Sequence, residues 1–403
     1  MSTLSIAPHF PFARVKVVRQ AVHAEAGAAL VYLEPDLRFR PRCHGCGRRA
    51  WTVHSQGHCR LVRDLSLAAT QVWLRVAYRK VWCRWCGGVR VEDLSFVRPG
   101  RRVTDRLARY IYDLCREMTV EAVARHLDLD PKTVRAIEKA GLEAEFGRTD
   151  TAGLRILAID EVALKKGHQY MTVVLDQETG RVVWMGEGRT EQTLDAFFAG
   201  LSNARKAAIE AVALDMWDPY IKALKRHLPA ARIVFDLFHL VKGFGEVIKA
   251  VRNEEFLEAR DEDRRVFQGT HYLLLKNGGS LSPSERLRLD DLLRINAPLN
   301  TLYLLKDQLK AIYRERFLFR VRGALDDWIA MASRVAHPLM RTFLRRLRRY
   351  AYGILNHGLY PIGTSRLEGV NNTIKVLKRR AYGYHDPRHF ALKVKQAFPG
   401  ETT

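Results

Sequence analysis

Residues Leu154–Asp176 read Leu-Arg-Ile-Leu-Ala-Ile-Asp-Glu-Val-Ala-Leu-Lys-Lys-Gly-His-Gln-Tyr-Met-Thr-Val-Val-Leu-Asp. Ile156, Ala158 and Asp160 share one face of a strand and Leu157 and Ile159 the other. The near-continuous apolar run therefore predicts a central strand buried on both faces, with a carboxylate near its end. Unpaired burial of that charge costs on the order of several kcal/mol or forces protonation. Asp160 thus needs a cation, and a metal shared with other acids is the simplest source.

Working outward, Gln169–Asp176 and Arg181–Glu187 flank Gln-Glu-Thr-Gly, which predicts an antiparallel meander turning at Gly180, with Asp176 as a turn residue. A helix is expected around Thr193–Leu201. The apolar stretch Ala207–Asp215 then predicts another strand ending in an acid, with nothing basic adjacent. Asp218-Pro219 predicts a cap and a first-position proline for a helix running to about Leu228. Arg232–Leu240 predicts a fifth strand containing Asp236 and leading to His239. Strand, hairpin, helix, strand, helix, strand is the order of a ribonuclease-H-like α/β domain.

Such a domain needs a last helix with a third acid, and the chain delays it. Residues 243–355 are highly charged with helical apolar spacing in Leu287–Leu293, Leu302–Leu309 and Trp328–Met331, broken around Asn277–Pro283, which predicts a helical insertion. A helix beginning near Ser365 would then stack Glu368, Asn371, Asn372, Lys375 and Arg379 on one face, a carboxylate for a metal and cations and amides for a phosphate backbone. Lys378 adds to its basic character. The competing reading of Ser365-x-x-Glu368 is a capping box, in which Glu368 only holds its own helix start.

The N-terminal part has a different texture. Cys43-x-x-Cys46 and Cys83-x-x-Cys86, each followed by glycine (Gly47, Gly87), form the pattern in which two tight turns present four thiolates to a tetrahedral Zn²⁺. The spacer between them carries strand alternation, with Val72, Leu74, Val76 and Tyr78 opposite Trp73, Arg75, Ala77 and Arg79, so a long hairpin could join the knuckles. Cys59 and Cys115 lack paired spacing and are expected to be buried thiols. Arg40, Arg42, Arg48, Arg49, Arg60, Arg63, Arg79, Arg84 and Arg90 suggest a ribbon lying on phosphates. Val103, Leu107, Tyr110, Ile111 and Leu114 then predict an amphipathic helix. Thr119 can cap a helix through Leu127, and Asp130 a second one, with Pro131 at its first position and Gly141 closing it. Two short helices and a tight turn are the helix-turn-helix pattern, which puts Lys132, Thr133 and Arg135 forward as major-groove contacts.

Composition agrees with a polyanionic partner. The 403 residues carry 67 Lys plus Arg against 44 Asp plus Glu, a net charge of +23. The excess is +10 in residues 1–100 and again +10 in 340–403, zero in 101–150 and +3 in 151–339. A hydrophobic content of 47% rules out a disordered tail. No apolar run approaches the ~18–20 residues of a membrane span, and no signal pattern opens the chain, so no membrane association and a cytoplasmic location are expected.

Taken in order, Cys43-His-Gly-Cys46-Gly with Cys83-Arg-Trp-Cys86-Gly, Ile-Asp160-Glu, Leu-Asp215-Met-Trp-Asp-Pro-Tyr, Phe-Asp236-Leu-Phe-His239-Leu-Val-Lys and Leu-Glu368-Gly-Val-Asn-Asn-x-Ile-Lys-x-x-Lys-Arg-Arg-Ala-Tyr-Gly resemble the bacterial insertion-sequence transposases of the ISL3 family. The resemblance runs from about residue 40 to 395. It departs in small ways: His44 stands where proline is common, and Leu367 where a smaller β-branched residue is expected. It implies a zinc ribbon in 1–98, a helix-turn-helix in 99–150, an Asp-Asp-Glu catalytic domain of ribonuclease-H-like fold in 151–242 and 356–403, and a helical insertion in 243–355. It also implies Asp160, Asp215 and Glu368 as the triad, and a nucleoid-associated homo-oligomer on double-stranded DNA, holding transposon ends and target.

Three converging carboxylates would raise one another's pKa values, which two divalent cations relieve. Oxygen ligands select Mg²⁺ or Mn²⁺ for cleavage and strand transfer by in-line displacement. Asp236 is then an auxiliary ligand and His239 a phosphate contact or a support to the ligands. Two other classes fit parts of the pattern: a domesticated DNA-binding regulator without catalysis, and a structure-selective nuclease of the same fold.

Overall fold

Five strands build the N-terminal sheet: β1 (Val15–His23), β2 (Ala28–Pro35), β3 (Thr52–Leu67), β4 (Thr70–Cys83) and β5 (Gly88–Val91). They are seen in a computed structural model that describes residues 7–165, 169–381 and 383–400. Lys166, Gly167 and His168 of the opening stretch, and Tyr382 of the C-terminal motif, lie outside the described residues. The chain divides into two units, Met1–Gly141 and Leu142–Thr403.

In the first unit β3 and β4 form the expected long hairpin, paired from Thr52↔Trp82 to Leu67↔Thr70 with shifts of register at Val53/Ser55, Ser55/His58 and Asp64/Leu67. Val72, Leu74 and Val76 point into its core and are fully buried, as period-2 alternation requires. The sheet is larger than the cysteine pattern indicated. β1 and β2 extend it in the order β1-β2-β4-β3, with β2 parallel to β4 and β5 added along the lower part of β4.

Three helices follow the sheet: α1 (Asp105–Glu117), α2 (Val120–Leu127) and α3 (Pro131–Phe146), the last running out of this unit beyond Gly141. Thr119 caps α2 by accepting from the Ala122 amide at 3.2 Å, and Asp130 accepts from the Lys132 amide at 2.6 Å. Asp128 takes the left-handed conformation at the turn between them. Gly141 does not close α3, which runs on to Phe146. A β-carbon there would overlap the Tyr112 ring of α1, so the glycine permits close helix packing rather than termination. Buried Asp64 of β3 fastens α1 to the sheet by accepting from Thr104 Oγ1 at 2.6 Å and from the Arg106 guanidinium.

The second unit is built on β6 (Ile156–Lys165), β7 (Gln169–Asp176), β8 (Val182–Glu187), β9 (Ala211–Leu214) and β10 (Arg232–Phe235), in the order β10-β9-β6-β7-β8. β6, β7 and β8 form the expected antiparallel meander, while β9 and β10 run parallel to β6. The helices between these strands are α4 (Glu191–Ala199), α5 (Asn203–Ala208) and α6 (Asp218–His227). Two expected strands are therefore shorter than their apolar runs. Residues 207–208 end α5, and residues 237–240 belong to α7 (Leu237–Glu258), which Asp236 caps by accepting from the Phe238 amide at 2.5 Å.

A continuous helical run follows: α7, α8 (Asp261–Phe267), α9 (His271–Leu275), α10 (Pro283–Ile295), α11 (Ala297–Ile312), α12 (Leu318–Ala332) and α13 (Pro338–Leu355). α7 crosses residues 242–243 without a break, so the helical run leaves the sheet through its longest helix. The C-terminal helices are α14 (Ser365–Arg380) and α15 (Pro387–Ala397).

The sheet is covered on both faces, which is why β6 reads as an almost unbroken apolar run. Leu157, Ile159 and Leu214 pack into a core with α4, α6 and the helical run. Ala158, Val162 and Ala213 pack with Leu367, Val370 and Ile374 of α14 and Phe390 of α15. Among the described residues no helix is long and apolar enough to cross a membrane.

Candidate active site and metal centre

The register of the parallel strands aligns the acids. Ile159 pairs with Leu214 and Leu214 with Phe235, so the next residues, Asp160, Asp215 and Asp236, form one row across three neighbouring strands. They lie on the α14 side, the face of Ala158 and Ala213. Asp160 is not at the end of its strand: β6 continues to Lys165 against β7 alone, so Asp160 marks where the parallel half of the sheet stops. A crevice at the carboxyl end of parallel strands is where open α/β sheets place their ligands.

Each acid has a different environment. Asp160 accepts from the Glu161 amide and from Asn371 Nδ2 of α14, both at 2.8 Å. Burial pushes its carboxyl up to about 6, against the pull of the Glu161 amide, with the charges of Glu161 and Asp215 adding and His239 opposing. Glu161 is likewise raised by burial, although Arg189 lies 3.5 Å away. Asp215 accepts from the Met216 amide at 2.5 Å, and His239 Nε2 lies 3.8 Å from its other oxygen.

Asp236 is buried and fully engaged. Besides capping α7, it accepts from the amide and the hydroxyl of Thr364, each at 2.5 Å, and so ties down the start of α14. Three of its acceptor positions are taken by the protein, and the two bonds from Thr364 hold the start of α14. Glu368 sits three residues before Asn371 on α14, hence on the same side of the helix, and is half-buried. The capping box does not form: Thr364 occupies the cap position, Ser365 is already helical, and no side chain caps the helix.

Asn371, expected on a DNA-facing surface, is instead buried against Asp160. Asn372, Lys375 and Arg379 are exposed and Lys378 half-buried. Asp218 does not cap α6. Trp217 holds that position, and the Asp218 carboxylate receives Arg349 and the Tyr350 hydroxyl from α13.

The residues suit a divalent cation. Asp160 and Asp215 are hard oxygen donors side by side, and the burial that raises Asp160 is the penalty a cation relieves. Two buried polar atoms beside them, His239 Nδ1 and Asn371 Oδ1, have no hydrogen-bond partner. Among the described residues, however, only the cysteine quartet brings three or more ligating side chains within 4.8 Å of one another. The Asp160, Asp215 and Glu368 carboxylates are not drawn to that spacing.

The quartet fits zinc closely. Cys43 Sγ lies 3.8 Å from Cys86 Sγ, and Cys46 Sγ 3.6 Å from Cys83 Sγ. A tetrahedral site with Zn–S of ~2.3 Å requires sulfurs ~3.8 Å apart. Gly47 and Gly87 hold the turns at φ +68° and +62°, which side chains disfavour. Burial disfavours the Cys83 thiolate, but the Cys86 amide and the Cys43 and Cys46 thiols outweigh it and bring that thiol down to about 7. Cys115 is buried as expected, whereas Cys59 is exposed, since its strand leaves that face open.

Two ribbon arginines are not free for phosphate: Arg63 is buried, and Arg79 is buried in an ion pair with Glu92 at 2.7 Å. Arg40 lies over Trp51, and Arg48 and Arg84 over Trp85. In the helix-turn-helix, Lys132 and Arg135 are exposed and Thr133 half-buried at the start of α3, with Arg135 paired to Glu121 at 2.9 Å.

Residues 157–394 match the transposase family model, and residues 92–140 match the helix-turn-helix domain of transposase family ISL3. The chain belongs to the ISL3 family of transposases. It is 41% identical over 373 residues to the transposase for insertion sequence element IS1001 of Bordetella parapertussis, covering 92% of this chain and 91% of that relative. It is 28% identical over 396 residues to the transposase for IS1557 of Mycobacterium tuberculosis, covering 90% and 87%. Membership in the ISL3 family makes this a DNA transposase with a DNA-binding helix-turn-helix, acting by DNA cleavage and strand transfer with divalent metal.

The part that sequence reasoning missed is the support around the acids. Asn371 stands in the Val-Asn-Asn motif, where an amide suits a phosphate as well as a carboxylate and no neighbouring residue decides between them. Arg189 carried no local signal at all, because only the fold brings it to Glu161.

Proposed function

We propose that this transposase binds the terminal inverted repeats of its insertion sequence and cuts and joins DNA at Asp160, Asp215 and Glu368, which hold two Mg²⁺ or Mn²⁺ ions. The observation that carries the reading is the row of Asp160 and Asp215 on adjacent parallel strands, with Asn371 bonding the Glu368 helix onto Asp160. The strand order with a three-stranded antiparallel meander and two parallel strands supports a ribonuclease-H-like catalytic domain in 151–242 and 356–403, interrupted by the helices of 243–355.

The bound metals would supply charge stabilisation for the attacking and leaving oxygens of an in-line displacement. The protein does the rest. Asp236 and Thr364 fix the start of α14, Asn371 orients Asp160, and His239 lies close enough to Asp215 to steady it or to meet a phosphate. One Zn²⁺ in the Cys43, Cys46, Cys83 and Cys86 site would fix the ribbon of 1–98. Lys132, Thr133 and Arg135 of the 99–150 segment would read the end sequence, with Asn372, Lys375, Lys378 and Arg379 on the DNA backbone. Joining two ends calls for a homo-oligomer on DNA, working in the cytoplasm at the nucleoid.

A strand-transfer assay on end-containing DNA tests this. Asp160→Asn, Asp215→Asn and Glu368→Gln should each keep end binding and lower cleavage and joining by orders of magnitude. An active Glu368→Gln protein in Mg²⁺ would overturn the triad. Wild-type binding without chemistry would indicate a regulator, and cutting without joining a nuclease.

A further inference from the structure

The loop that follows Asp215 forms one wall of a cleft of about 390 Å³ whose other wall is α13. Met216 and Asp218 lie on the loop side, and Arg345, Arg346, Arg349 and Tyr350 on the helix side. Within the cleft the Asp218 carboxylate is already satisfied, by Arg349 at 3.1 Å and the Tyr350 hydroxyl at 2.7 Å. Arg346 donates to the Met216 carbonyl at 3.3 Å, a neutral partner that leaves its charge uncompensated.

Arg345 has no hydrogen bond or ion pair from its side chain among the described residues, and nor does Arg341 one turn earlier on α13. One carboxylate, Asp218, against the three guanidinium groups of Arg345, Arg346 and Arg349 leaves two positive charges unbalanced, facing a loop that begins at Met216, the residue after Asp215. Single unpaired arginines, such as Arg341, are common on protein surfaces. Arg345 and Arg346 differ in lining one concave site, in the volume range of ligand pockets, whose wall starts at the residue after a proposed active-site acid. The planar guanidinium fork matches the oxygens of a phosphate.

We propose that this cleft binds a backbone phosphodiester of the DNA on which the Asp160, Asp215 and Glu368 site acts, with Arg345 and Arg346 setting the strand's path past Asp215. The proposal rests on the catalytic reading above and adds a binding site on the helical insertion. That phosphodiester belongs either to the transposon end or to the target, which share the same chemistry.

The test uses the full-length zinc-loaded protein with Arg345→Ala, Arg345→Lys and the double variant Arg345→Ala/Arg346→Ala. Affinities for end-containing and random duplexes are measured against salt without magnesium, followed by strand transfer of pre-cleaved ends into increasing target DNA. Loss of one phosphate contact flattens the plot of log affinity against log salt by about 0.9, and Arg345→Lys should restore most of it. A flatter slope with end DNA places the phosphodiester in the transposon end. An unchanged slope there, with several-fold more target needed for half-maximal joining, places it in the target. Unchanged slopes on both duplexes and an unchanged target requirement would overturn the proposal. If the wild-type protein neither cuts nor joins, the catalytic reading fails; a flatter magnesium-free slope on either duplex then still supports the cleft, and unchanged slopes on both overturn it.

Discussion

Asp160→Asn should make the metal-free protein more stable while abolishing its activity. The carboxyl is raised from 3.8 to about 6, chiefly by burial. At about 1.36 kcal/mol per pKa unit, its ionised form opposes folding by about 3 kcal/mol, a ceiling because the side chain keeps partial contact with water. The direction with pH follows. The folded carboxyl holds its proton up to about pH 6 and the unfolded one only to about pH 4. The penalty is therefore complete above pH 6, shrinks as pH falls from 6 to 4, and is gone below. The replacement also finds its partners in place. Its oxygen can still accept from the Glu161 amide, and a flipped Asn371 amide would offer its orphaned Oδ1 to the new NH₂ group. Denaturation in magnesium-free buffer, with zinc left bound, should show a gain approaching 3 kcal/mol at pH 7.5 and under about 1 kcal/mol at pH 4.5. At roughly 2–4 °C per kcal/mol, the shift in Tm is easily measured. A loss of stability at pH 7.5, or an equal gain at both pH values, would refute the account of Asp160 as a charge buried without compensation.

Asp236→Asn should behave in the opposite way, since an amide keeps only one acceptor oxygen, so that either Thr364 or the Phe238 amide faces an NH₂ group instead of an acceptor. It should cost about 3 kcal/mol by denaturation, with activity lost through a loosened α14; a fully stable variant would show that Asp236 does not hold that helix. Purified protein should carry about one tightly bound Zn²⁺, and Cys43→Ser or Cys86→Ser should release it and raise hydrogen exchange across residues 40–100. Metal analysis finding no zinc, with a Cys43–Cys46 disulfide instead, would count against the ribbon. Arg135→Ala should narrow the preference for end over random DNA by roughly 1–3 kcal/mol, whereas Lys378→Ala should weaken both equally; equal losses for Arg135→Ala would make it a phosphate contact.

Local pattern alone determined much of this protein. The cysteine knuckles, the alternation of β4, the caps of α2 and α3 and the apolar run around Asp160 each depend on neighbours within a few residues, where backbone period and turn chemistry act. The ordered motifs were enough to indicate the family. What the sequence could not decide were properties set by partners far along the chain. Residues 207–208 and 237–240 are as apolar as strands, yet they form helix, because the parallel pairing of β9 and β10 ends at Leu214 and Phe235 and Asp236 caps the helix beyond. Three acids of similar local context received separate roles only through tertiary contacts. Asp236 is engaged by Thr364, 128 residues away, Asp160 by Asn371, 211 residues away, and Asp218 by Arg349 and Tyr350 rather than by its own helix. A carboxylate's role depends on which donors reach it and how much water remains, and over such separations both are fixed by the packing of sheet and helices, not by adjacent residues.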